Sequence, residues 1–123
     1  MFTIDDMTIH LTRGDGAVIE LGVRSMSGDM VSLKTGDVIR FKVTERNNCD
    51  RVVLSKDVVV TEDTTFVEIF LDSIDTKFGD IISKPKTYWY EVELNPNTIS
   101  QTIIGYDING PKRFILYPEG ADV

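Results

Sequence analysis

Apolar and polar residues alternate with a period of two through much of this chain, the pattern of half-buried strands rather than of amphipathic helices. Ala17, Ile19, Leu21 and Val23 fall on one face, with Glu20 and Gly22 opposite. Ile39, Phe41 and Val43 alternate with Arg40, Lys42 and Thr44 over Val38 to Thr44. Tyr88, Tyr90, Val92 and Leu94 alternate with Trp89, Glu91 and Glu93. Such segments predict strands of an antiparallel sheet with one wet side. Further extended segments are predicted at Met7 to Leu11, Val52 to Val60, Thr65 to Leu71, Gln101 to Tyr106 and Lys112 to Tyr117, with a short piece at Met30 to Leu33.

The intervening residues are turn formers. Arg13 to Gly16, Ser27 to Asp29, Lys34 to Asp37 and Asn95 with Pro96 each break the pattern. Ser73 to Phe78 is expected to form one helical turn capped by Ser73, followed by an irregular crossover to Lys86. Asn109-Gly110 predicts a hairpin joining the last two strands. Short strands separated by turns give an all-β sandwich of seven or eight antiparallel strands.

Composition agrees with this. Val, Ile and Thr supply 38 residues and Ala and Leu only 9, and branched side chains suit a pleated surface. The 123 residues show no repeat and no linker, so residues 1–123 are expected to form one domain. A net charge of −7 disfavours direct contact with nucleic acid or anionic membranes. The first ten residues carry Asp5 and Asp6 and resemble no signal peptide, so synthesis in a cytoplasm is expected.

Catalytic chemistry finds little support. Cys49 and His10 are each the sole residue of their type and share no motif, so neither a disulfide nor a histidine metal cluster is expected. Asp5 with Asp6, Glu62 with Asp63 and Asp72 with Asp75 lack cation-binding loop spacing. Gly14 and Gly16 precede a strand, whereas phosphate-binding glycines open a helix. Arg13-Gly14-Asp15 matches an adhesion tripeptide, but Gly-Asp is also ordinary turn chemistry. No catalytic residue, cofactor or metal is therefore assigned.

Apolar groups left on the polar side of strands point to assembly instead. If Tyr88 and Tyr90 face inward, Trp89 faces outward, and the same parity exposes Phe66 with Phe70 and Ile115 with Tyr117. Aromatic residues are enriched at the energetic centre of protein interfaces, so these five form the candidate interface. The expected partners are other protein subunits, copies of the chain included. A glycan stacking on Trp89 with Tyr106 or Tyr117 is the alternative, and acidic mimicry of nucleic acid at a host protein is a third reading.

The succession "TIHLTRGDGAVIEL", "KTGDVIRFKV", "DTKFGD", "YWYEVELNP", "QTIIGYD" and "RFILYPEG" resembles the small Ig-like β-sandwich modules of tail and baseplate proteins in phages of Gram-positive bacteria, in particular the amino-terminal module of baseplate upper proteins. The resemblance implies a non-enzymatic virion component with an Ig-like sandwich. The chain ends after the sandwich, so a stand-alone structural or accessory part is expected rather than an adaptor carrying a receptor-binding domain.

Overall fold

A computed structural model describes residues 1–23, 28–46 and 51–119. The strands are β1 (Phe2–Asp5), β2 (Thr8–Thr12), β3 (Ala17–Gly22), β4 (Val38–Thr44), β5 (Val52–Val59), β6 (Phe66–Leu71), β7 (Lys86–Leu94), β8 (Gln101–Ile104) and β9 (Lys112–Tyr117). One sheet has seven strands in the order β1-β2-β9-β7-β4-β5 with β8 also on β7, and the other is the pair β3-β6. The inner faces of both contribute to one core, so the architecture is two-layered and sandwich-like. Cys49 and part of the turn predicted at Ser27 to Asp29 lie outside the described residues.

The period-two reading places the core correctly. Ile19 and Leu21 of β3, and Val67, Ile69 and Leu71 of β6, are buried against Ile39, Phe41 and Val43 of β4, Tyr88, Tyr90 and Val92 of β7, and Phe114 and Leu116 of β9. Five rings form a chain through the core. Tyr90 lies 5.6 Å from Phe41, Phe41 6.4 Å from Phe114, Phe114 5.8 Å from Phe78, and Phe78 meets Tyr88 edge-on at 4.9 Å. Phe114 is thus the middle link between the two halves of the core.

Three expectations need correction. The sheet is mixed, because β2 runs parallel to β9, with Ile9 opposite Phe114 and Leu11 opposite Leu116. The last two strands do not form a hairpin. β8 pairs with the end of β7 from Val92 to Leu94, and β9 pairs with its start from Lys86 to Tyr90. Since β4 occupies the other edge of β7, β8 and β9 follow one another along a single edge as one interrupted strand. Asp107 and Gly110 do close a tight turn, but each flank pairs with β7 instead of with the other. Met30 to Leu33 is the short extended piece expected, in which Leu33 makes a single bridge to Thr64 and buries its side chain. The turn after β6 is capped by Asp72 rather than Ser73, its carboxylate accepting from the amides of Ile74 and Asp75.

β1 carries no strong sequence signal and raises the count to nine. It forms a hairpin with β2 in which Asp5 opposes Thr8, leaving Asp6 and Met7 as a two-residue loop. Their φ angles are 47° and 67°, the left-handed pair that the strand twist requires and that Asn-Gly usually supplies. Met7→Gly should therefore raise stability by about 0.5–1 kcal/mol, the relief of strain exceeding the entropy of the more flexible unfolded chain. Thermal melting with an unchanged amide spectrum checks this; a lowered midpoint would contradict it.

Candidate functional site

The five predicted interface residues occupy opposite outer faces of the sandwich. Phe66 and Phe70 stand on the outer side of β6, where they are 51% and 62% exposed. Trp89, Ile115 and Tyr117 lie on the outer side of the large sheet and are only half-buried to partly exposed, so the structure does not gather the five into one surface. Trp89 is flanked by Thr44 on β4 and Arg113 on β9, and central strands with neighbours on both sides screen one another. Tyr117 donates or accepts a 2.8 Å hydrogen bond with His10 Nδ1, and the two rings pack 5.8 Å apart. His10 is therefore half-buried and paired.

The charges of the large outer face are matched across strands. Arg40 donates to both carboxylate oxygens of Asp57, at 2.8 and 3.0 Å. That hydrogen bond raises the Arg40 pKa and, with the guanidinium charge, holds Asp57 below the usual carboxylate range. Lys42 sits between Glu91 at 2.8 Å and Glu93 at 2.9 Å. Burial pulls its ammonium down, but its hydrogen bonds to both carboxylates outweigh that and leave its pKa raised.

The Tyr90 phenol, which donates to the Met7 carbonyl at 2.6 Å, is pushed up to about 12 by burial. A raised folded pKa favours the protonated state on folding. The stability Tyr90 contributes is then complete below its unfolded value near 10 and is lost as pH rises towards 12. The unfolding free energy should fall across that window with a slope approaching about 1.4 kcal/mol per pH unit from Tyr90. Lys42 acts in the same direction, so Tyr90→Phe should make the alkaline limb shallower without abolishing it; an unchanged limb would show that the phenol does not contribute.

The outer face of β3-β6 is built differently. Its cross-strand pairs are Val18 with Phe70, Glu20 with Glu68, and Gly22 with Phe66. Val18 is 41% exposed, so apolar groups flank a carboxylate pair on an open surface. Like charges directly opposite one another on a sheet are unfavourable. Among the described residues neither Glu20 nor Glu68 has an ion-pair partner. Parity alone identified Phe66 and Phe70, whereas the register that sets Glu20 against Glu68 leaves no local sequence signal.

The Arg13-Gly14-Asp15 tripeptide is committed to the fold. Arg13 donates to Glu119 at 2.8 Å and to the carbonyls of Lys77 and Gly79 at 3.0 and 3.2 Å, while Asp15 pairs with the amino group of Met1. Gly14 donates its amide to the hydroxyl of Thr76, a fully buried residue whose hydroxyl donates to the Asp15 carbonyl at 2.8 Å. These contacts explain Gly14 and Asp15 as parts of a structural corner. Among the described residues, no three His, Cys, Asp or Glu side chains converge as metal ligands. Comparison of the chain with family models, curated proteins and solved structures finds no match to any of them.

Proposed function

We propose that the protein is a non-enzymatic assembly module that docks another protein on the outer face of β3-β6. The observation that carries this reading is the exposed apolar strip of Phe66, Phe70 and Val18 on a regular sheet surface. Large side chains held open by rigid strands lose little entropy when a partner covers them, which favours binding. An Ig-like assignment is supported by adjacency of β4, β7 and β9 in one sheet and of β3 with β6 in the other, the places of strands C, F, G and B, E in immunoglobulin domains. Within this proposal the chain is a virion part of the tail or baseplate type, the role its sequence resemblance implies. The sugar-binding alternative draws less support, because Trp89 and Tyr117 are half-buried, which leaves Tyr106 alone of the three rings open.

The test is site-specific photo-cross-linking in the cells that make the protein. A benzophenone side chain replacing Phe70 should give discrete protein adducts, whereas one replacing Ile108, fully exposed in the β8–β9 loop, should not. Phe66→Ser combined with Phe70→Ser should leave the melting temperature within the range of ordinary surface changes, about 0.5 kcal/mol each. Adducts that are absent at Phe70, or identical at both positions, would sink the proposal.

A further inference from the structure

The open edge of β6 suggests how a partner sits. Among the described strands β6 pairs with β3 only, and its sequence Phe66–Leu71 contains neither Lys nor Pro. Edge strands are commonly blunted by those residues, so beyond Phe66, whose amide and carbonyl the Thr64 hydroxyl already engages, β6 presents unprotected backbone donors and acceptors. Beside this edge runs a groove of about 320 Å³ towards β5, lined by Val58, Val59, Phe66, Glu68 and Phe70. Neighbouring β5 differs in carrying Lys56, which spans the layers to Asp75 at 2.9 Å.

Charge selects the occupant. On the outer face Phe66 and Phe70 stand two residues either side of Glu68, about 7 Å away in each direction. Glu68 lies opposite Glu20, and neither carboxylate is neutralised within the described residues. Stacking this face on a second copy would bring four such carboxylates together, in a chain whose net charge is already −7. A cationic side chain in the same place would offset the repulsion, with its methylenes lying against the flanking rings.

We propose that an extended segment of a partner protein adds to the free edge of β6 as a third strand, placing a lysine or arginine between Phe66 and Phe70 against Glu68 and Glu20. This rests on the docking role of the same face. Backbone pairing supplies affinity and alternate side chains supply selection, as in other strand-addition complexes. The segment has basic residues on its outward side and apolar residues towards the groove.

Two blocked synthetic peptides of about nine residues, one alternating lysine with valine and the other glutamate with valine, provide the probe. The lysine peptide should shift the backbone amide resonances of Phe66 to Leu71, and its affinity should fall about tenfold between about 0.05 and 0.5 M salt. The glutamate peptide should leave those signals unmoved. Glu20→Lys with Glu68→Lys should reverse the preference, and Glu68→Gln should weaken the lysine peptide, with each variant's spectrum reporting its fold. Equal binding of both peptides, shifts confined to other strands, or no shift at millimolar lysine peptide would overturn strand addition. If that happens while Phe70 still cross-links a protein, the docking face stands without this mode of binding; loss of both removes the two proposals together.

Discussion

Phe114→Ala should lower stability by about 3–5 kcal/mol, the usual range for removing a buried ring. Phe114 is fully buried, and its ring links Phe41 at 6.4 Å to Phe78 at 5.8 Å. Truncation therefore opens a void at the junction of two aromatic pairs rather than at the rim of the core. Backbone collapse into that void is opposed from both sides, since β9 is laddered to β2 through Ile9–Phe114 and to β7 through Tyr88–Phe114. The melting temperature should fall by about 10–20 °C. Phe66→Ala, an outward truncation on a strand of the same fold, should change it little; equal losses at the two positions would contradict the assignment of inner and outer faces.

Gly79→Val should cost about 2–5 kcal/mol from two sources that can be separated. Gly79 has φ of 72°, a conformation unfavourable to a branched side chain. A Cβ at this position would also lie 2.7 Å from the hydroxyl of Tyr88, whose ring is buried and held edge-on by Phe78. Gly36 supplies the control, with φ of 94° and no atom within 4 Å of an added Cβ. Gly36→Val should show the backbone term only, about 1–2 kcal/mol. Denaturant midpoints that are the same for both variants would mean that Tyr88 yields without cost.

Whether an element was legible in the sequence followed from whether its determinants are local. β4 occupies Val38–Thr44, as its alternation predicts, because each residue's face is decided by its own parity. Phe66 and Phe70 were legible as outward groups for the same reason. The identical argument overstated the exposure of Trp89, Ile115 and Tyr117, because screening by adjacent strands depends on strand order. Parallel pairing of β2 with β9 joins segments about a hundred residues apart, and nothing in either segment specifies it. The Asn109-Gly110 signal correctly marked a turn but not what its flanks would pair with. β1 was missed because Asp6-Met7 lacks the glycine or asparagine that normally announces a left-handed loop.

The break between β8 and β9 has a practical consequence for engineering. Chain leaves the β7 ladder after Ile104 and rejoins it at Lys112, and Ile108 at the tip is entirely solvent-exposed. Lengthening such a detour adds only slowly growing closure entropy and moves neither anchoring segment. A small tag or reporter spliced at Ile108 would therefore ride on the sandwich without shifting the register of the strands that hold it.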